Sequence, residues 1–195
     1  MSSTDWDQYA PAYDAQPDHG LSDPVTREKW NELVLSHLPA APKRIIDMGG
    51  GTGSISELLA EAGHHVTYVD SSLEMTKLAK KKCQRFGNRI NYFTCSVENL
   101  NEAITTAGFD VIFGRHILWA ANDLPKTLKT WHSLLNDDGY FVFVEGFWST
   151  GVGITSAVLE KAVKNETGSA TSFTLDDPLY WGKQIDDERY LIVSK

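Results

Sequence analysis

The chain is poor in the features that would make it a metalloprotein, a disulfide scaffold, a membrane protein or a nucleic-acid binder. It has two cysteines in 195 residues, Cys83 and Cys95, and neither lies in a CxxC or Cys/His pattern. No cysteine-based zinc site or disulfide framework can be built from them. His64 and His65 are merely adjacent, so no metal is expected. No run approaches the roughly 18 apolar residues that a membrane span needs, and the opening MSSTDWDQYA is acidic and aromatic, unlike a signal peptide. A cytoplasmic protein with no membrane partner is therefore expected. Basic residues are outnumbered, 18 Lys and Arg against 26 Asp and Glu, for a net charge of -8. Such a chain repels a phosphate backbone, so no nucleic-acid partner is expected. The basic run Lys77, Lys80, Lys81, Lys82 and Arg85 reads as a solvated helix face. Internal repeats and low-complexity stretches are also missing.

What is present is an alternation of strand and helix signals. Apolar runs at 44–48 (RIIDM), 65–70 (HVTYVD), 90–96 (INYFTCS), 109–115 (FDVIFGR) and 140–145 (YFVFVE) read as buried strands. Helical phase links them. Ile55, Leu58, Leu59 and Ala62 share one face, as do Met75, Leu78, Ala79 and Phe86, and then Leu128, Trp131 and Leu135. A short helix fits 97–107. Asp23-Pro24 begins a helix that runs to about Leu38 and carries Trp30, Leu33 and Val34. Past the fifth strand a helix fits 154–164 and a strand 190–194, while pairing of 171–175 stays open. This order predicts one domain, a three-layer α/β/α sandwich of about seven strands, mostly parallel with the last antiparallel. Residues 1–40 would supply lid helices, 44–146 the core, and 147–195 an acceptor-facing segment and the final strand.

The sharpest motif is Asp47-Met48-Gly49-Gly50-Gly51-Thr52-Gly53, after one strand and before a helix. Glycines there let the backbone turn tightly and approach a ligand, at the strand ends where α/β sheets bind them. Two cofactor classes are opposed by the spacing. A dinucleotide fingerprint needs glycine or alanine five residues after its first glycine, where this chain has Ser54 or Ser56. A phosphate-binding loop ends in Gly-Lys-Ser/Thr, which is absent. What is left is an acidic residue, GxGxG, and Asp70 closing the next strand.

This pattern resembles the first motifs of class I S-adenosylmethionine (SAM)-dependent methyltransferases. Arg115–Ala120 (RHILWA), the segment 124–148 and the closing DERYLIVSK are similar to the group acting on small molecules. The resemblance implies SAM as cofactor, with S-adenosylhomocysteine as its product, and a small-molecule acceptor. It implies Gly49, Gly50 and Gly51 beside the methionine part and Asp47 orienting the loop. It further implies Asp70 on the ribose, Ser71 and Met75 beside the adenosine, Ser96, Val97 and Glu98 beside the adenine, and Arg115 ending the fourth strand. Tyr9, Tyr13 and Trp30 would form a lid. Where Ser96 stands the family commonly has aspartate, which puts the adenine contacts in question. His116, at the ligand edge, is the candidate general base, since an imidazole titrates near neutrality. Trp119, Phe147, Trp148 and Trp181 would wall the acceptor pocket. No Asn/Asp-Pro-Pro-aromatic motif follows the fourth strand, which argues against nucleobase or glutamine acceptors. Two rivals stay open: a protein that binds SAM or S-adenosylhomocysteine without catalysis, and a nicotinamide-dependent oxidoreductase.

Overall fold

The computed structural model describes residues 3–100, 102–105 and 108–195. The apolar runs become β1 (Arg44–Met48), β2 (His65–Asp70), β3 (Ile90–Thr94), β4 (Phe109–Arg115), β5 (Leu135–Phe147), β6 (Thr171–Thr174) and β7 (Glu188–Val193). They form one seven-stranded sheet in the order β3-β2-β1-β4-β5-β7-β6. The first five pair in parallel, and β7 runs antiparallel to both β5 and β6. The segment whose pairing the sequence left open is thus the edge strand β6.

The helices are α1 (Ser3–Asp14), α2 (Pro17–Gly20), α3 (Pro24–Ser36), α4 (Ser54–Glu61), α5 (Leu73–Lys82), α6 (Glu102–Thr105), α7 (Leu124–His132) and α8 (Ser156–Thr167). Their apolar faces cover both sides of the sheet. On one side Trp30, Leu33, Ile55, Leu58 and Ala79 pack on Ile45, Tyr68, Phe113 and Val142. On the other Leu128, Trp131, Leu159 and Val163 pack on Ile46, Met48, Ile112 and Phe143. The alternation of strand side chains makes both cores from one set of strands.

Local chemistry sets the helix starts. The Asp23 carboxylate accepts from Thr26 N at 2.9 Å, the Asp123 carboxylate from Lys126 N at 3.0 Å, and the Ser72 hydroxyl from Met75 N at 3.1 Å. Pro24 and Pro125 sit in the first turns, where a missing N–H costs nothing. The expected helix over 97–107 is seen as α6 alone; residues 101, 106 and 107 of that expectation lie outside the described residues. β5 begins earlier than its apolar run. Leu135 pairs with Phe109, then the register jumps to Tyr140 opposite Val111. The polar residues Asn136, Asp137 and Asp138 bulge there, which hides the strand from a reading of hydrophobic pattern.

α1 shows little helical phase because polar contacts, more than an apolar stripe, fasten it. Asp7 Oδ1 accepts from Ser72 Oγ at 2.6 Å and Glu74 N at 3.1 Å, at the start of α5. Lys82, at the end of α5, donates to the Asp14 carboxylate (2.6 Å), Gly20 O (3.1 Å) and Ser54 Oγ (2.7 Å). One ammonium therefore joins α1, α2 and the start of α4. Lys82→Met keeps most of the stem and removes the ammonium. It is expected to cost on the order of 1–3 kcal/mol and to speed hydrogen exchange in residues 5–21 selectively. Unchanged exchange there would show that the aromatic contacts suffice.

Candidate functional site

The strand order reverses between β1 and β4, because the chain leaves β1 for one face of the sheet and β4 for the other. Open α/β sheets bind ligands at that crevice, and the glycine motif lies in it. The amides of Gly49 and Gly50 both donate to Val69 O, at 2.8 and 3.0 Å, so the loop is folded onto the end of β2. Gly51 N then donates to Asp70 Oδ2 at 2.9 Å, and Gly51 O accepts from the Tyr68 hydroxyl at 2.6 Å. Gly51 has φ +55°, a left-handed conformation that side chains disfavour. Asp70 Oδ1 accepts from Ser72 N at 2.8 Å. Burial holds the Asp70 carboxyl above its ordinary range, opposed by these amide bonds.

A cleft of about 110 Å³ opens above this loop. Of the residues expected at the site, it is lined by Tyr13, Gly49, Gly51, Asp70, Ser71 and Met75 on one side. Ser96, Val97, Arg115, His116 and Trp119 line the other. Trp6, an aromatic anchor of the N-terminal lid segment, also lines it, as do Ile117 and Ala120, which were not anticipated. Trp6 belongs to an aromatic cluster with Tyr9 and Tyr13, centroids 5.9 to 6.1 Å apart. Spacing along α1 was the available signal for it.

The other expected residues stand elsewhere. Trp30 is not a lid residue: it is fully buried, donates Nε1 to Tyr180 O at 2.6 Å and packs edge-on against Trp181. Helical phase on α3 turns it into the core, and the Arg115 guanidinium covers its ring at 4.8 Å. Asp47 lies beneath the loop, accepting from Ser56 Oγ at 2.6 Å, and burial raises its carboxyl to about 6. Gly50 faces the Tyr68 ring, which a Cβ would meet at 2.5 Å. Phe147 is 40% exposed. Trp148 stands behind the cleft wall, against His116 at 5.4 Å and Trp119 at 5.6 Å. Trp181 is likewise core. Ser96 Oγ accepts from Glu98 N at 3.2 Å, while the Glu98 carboxylate turns to Asn122 at 3.0 Å and away from the cleft.

His116 has φ +56°, rare for a side chain of this kind and worth about 1–3 kcal/mol of strain. Its amide donates to Val144 O at 2.9 Å, and its carbonyl accepts from Trp119 Nε1 at 2.9 Å. The next two amides, Ile117 N and Leu118 N, both donate to Glu145 Oε1, at 2.7 and 2.6 Å. Glu145 is fully buried on β5 and was read only as the end of a strand. Both ring nitrogens of His116 are buried without a partner. Burial, with the charges of His19, Arg115 and Arg189, holds its pKa well below the ordinary imidazole value. It is neutral at neutral pH. Arg115 donates to two carbonyls, Asp18 O at 2.6 Å and His19 O at 3.3 Å, so neither partner neutralises its charge.

The comparisons agree with this geometry. A family model described as methyltransferase domain matches residues 46–143. A ubiquinone biosynthesis O-methyltransferase of Xanthomonas axonopodis pv. citri is 31% identical over 134 residues, 69% of this chain and 52% of that protein. The chain spans about half the length of the curated relatives it matches. Among solved structures, the N-methyltransferase NodS of Bradyrhizobium japonicum, bound to S-adenosylhomocysteine, is 19% identical at TM-score 0.71, covering 96% of each chain. A 1,6-didemethyltoxoflavin-N1-methyltransferase of Burkholderia thailandensis is 20% identical at TM-score 0.70, covering 98% of this chain and 85% of that one. These two share the fold.

Burial raises the Glu145 carboxyl from 4.5 to about 8, against the amide bonds it accepts. Between those values the folded state binds a proton that the unfolded state has released. Stability from this group is therefore present below pH 4.5 and is lost as pH rises toward 8. Glu145→Gln removes the dependence while keeping an oxygen for the two amides. Its melting temperature should rise relative to the parent at pH 9 and change little at pH 5. Parallel curves for the two proteins would show that Glu145 does not titrate in this window.

Proposed function

Because the chain belongs to the methyltransferase domain family, whose cofactor is SAM, we propose that it transfers a methyl group from SAM to a hydroxyl of a small molecule. The observation that carries this reading is one cleft that joins the Asp70–glycine cradle to a neutral, unpartnered imidazole. SAM supplies a methyl group already activated on a sulfonium, so the protein's work is positioning, exclusion of water and handling of a proton.

The residues present fit that cofactor. Each Asp70 oxygen, after accepting one amide, keeps a lone pair for a ribose hydroxyl. Gly49 and Gly51 offer bare backbone to the methionine part, and the Arg115 charge suits its carboxylate. Ser71, Met75 and Val97 form a mostly apolar seat for adenosine. Ser96 has one hydroxyl lone pair already engaged, so the adenine edge is read through fewer contacts than an aspartate would give. Asp47 acts on the loop from below through Ser56. The cleft offers one cation, Arg115, and no lysine for a pyrophosphate, which favours SAM over a dinucleotide.

At the acceptor end, Trp119 forms a wall with Trp148 behind it. A hydroxyl there would lie against the His116 ring, whose one unprotonated nitrogen is the group able to accept a proton. The name of the Xanthomonas relative, an O-methyltransferase, supports a hydroxyl acceptor. The net charge of -8 supports small molecules over nucleic acid as partners. Cys83 and Cys95, in no disulfide, suit a reducing cytoplasm.

Two measurements test the reading. Calorimetry should show SAM and S-adenosylhomocysteine binding and no NAD binding. Asp70→Ala should weaken both by about 1.5–3 kcal/mol, because both carry the same ribose; a loss confined to SAM would remove Asp70 from the ribose. Tritiated-methyl transfer over a metabolite panel then identifies the acceptor. On it His116→Ala should lower turnover roughly 100- to 10,000-fold with SAM affinity nearly unchanged. A non-catalytic SAM-binding protein would transfer nothing to any member of the panel.

A further inference from the structure

Gly114 is the only glycine of β4, and its backbone is not left-handed. A strand glycine that needs no special φ marks a close approach by another group. Here that group is Ile117. A Cβ on Gly114 would stand 3.0 Å from Ile117 Cγ2 and 3.3 Å from the Phe143 ring. A Cβ on Gly49 would stand 2.8 Å from Ile117 Cδ1 and 2.9 Å from its Cγ1. One branch of the side chain thus lies on β4 and the other on the first glycine of the loop, and Ile117 lines the cleft. Alanine at either glycine would displace it.

A β-branched side chain has few rotamers, so the backbone of Ile117 sets where it presses. That backbone is held by Glu145, whose Oε1 accepts from Ile117 N at 2.7 Å and Leu118 N at 2.6 Å. Glu145 is fully buried and does not line the cleft. Its Oε2 is buried without a hydrogen-bond partner. An oxygen left so is costly, and an apolar residue in the same place would avoid that cost. The carboxyl therefore serves the two amides and not the packing. Its hold reaches in two directions. Before Ile117 comes His116, whose left-handed φ of +56° the turn sustains. Under the Ile117 side chain lies Gly49, whose amide is bound to Val69 O at 2.8 Å beside the Asp70 cradle.

We propose that Glu145 is a positioning residue for the cofactor. By fixing Ile117 against Gly49 it holds the glycine loop and the His116 turn as one unit, so SAM affinity depends on a carboxyl outside the cleft. This rests on the reading of the cleft as the SAM site and is independent of the acceptor. Without the carboxyl, two amides lose their acceptor and the turn is free to leave its left-handed conformation. Ile117 then lifts from Gly49, and the loop loses the side chain that presses it onto the end of β2. Glutamine in the same place keeps an oxygen for the amides and so keeps the link. An apolar residue of similar size keeps the packing and breaks it.

Calorimetry with S-adenosylhomocysteine tests the link without an acceptor. Glu145→Leu should weaken binding about tenfold, and Glu145→Gln less than about twofold. With Ile117→Ala already in place, Glu145→Leu should cost less than about threefold, because the link through which it acts is gone. Equal losses from Glu145→Leu in both backgrounds would overturn the proposal. So would a lowered melting temperature with affinity intact, which makes Glu145 a stability residue only. Should Glu145→Leu fail to fold, Gly114→Ala takes its place. Gly114 does not line the cleft, and its new Cβ would press on Ile117 and Phe143. Affinity should fall at least about threefold, and unchanged affinity would overturn the proposal. Those variant outcomes leave the SAM reading of the cleft standing. A parent protein that bound no S-adenosylhomocysteine would overturn that reading and the proposal with it.

Discussion

The carbonyl of Val69 accepts two amides, from Gly49 and Gly50, and so ties the end of β1 to the end of β2 before either helix begins. Two donors can converge on one acceptor only if the chain turns back within a residue, which Gly49 permits at φ +68°. Once the loop is seated there, Asp70 receives Gly51 N on one oxygen and Ser72 N on the other. Ser72 then starts α5 and takes the Asp7 carboxylate of α1. The same few bonds thus place the glycine cradle, the carboxylate expected to hold a ribose, and the helix that covers them. Changes at this junction reach the whole near side of the cleft without touching the core.

The far side depends on a different device. There the chain leaves β4 through a left-handed residue that is not glycine, and the strain is held by bonds on both sides of it. The Val144 carbonyl fixes the amide of His116, and the Glu145 carboxylate fixes the two amides that follow. Burying that carboxylate is itself unfavourable, as its raised pKa shows. Two local costs are therefore accepted to aim one imidazole. Strain and buried ionisable groups of this kind concentrate where a protein works, and neither improves packing.

Much of this was legible in the sequence, because the parts expected to bind cofactor are also the parts with strong local patterns. The strand RIIDM, its glycines and the acidic end of HVTYVD are defined by period, turn chemistry and spacing, and they fell where expected. Trp30 did not. Helical phase correctly put it on one side of α3, but phase cannot say whether that side meets ligand or core, and here Trp181 and Tyr180 occupy it. Glu145 was hidden because a charged residue at a strand end looks like the strand stopping; only the fold shows two amides from the neighbouring strand's exit arriving at it. α1 was understated because a helix fastened by Asp7 and by the Asp14–Lys82 pair need not be amphipathic.

The charge distribution joins the two sides of the cleft. Arg115 brings a positive charge that its carbonyl partners do not neutralise, and bound SAM would add a sulfonium close by. An acceptor arriving as an ammonium would place a third positive charge in a largely buried space where Asp70, the carboxylate that lines the cleft, is committed to the cradle. Desolvation in such a place amplifies the repulsion. A neutral hydroxyl adds no charge on entry, and the developing oxyanion is attracted by the cations that would repel an amine. Loss of the hydroxyl proton is then favoured electrostatically at the oxygen but disfavoured at His116, which the same cations keep from holding it. The field that activates the acceptor is thus the field that requires the proton to leave.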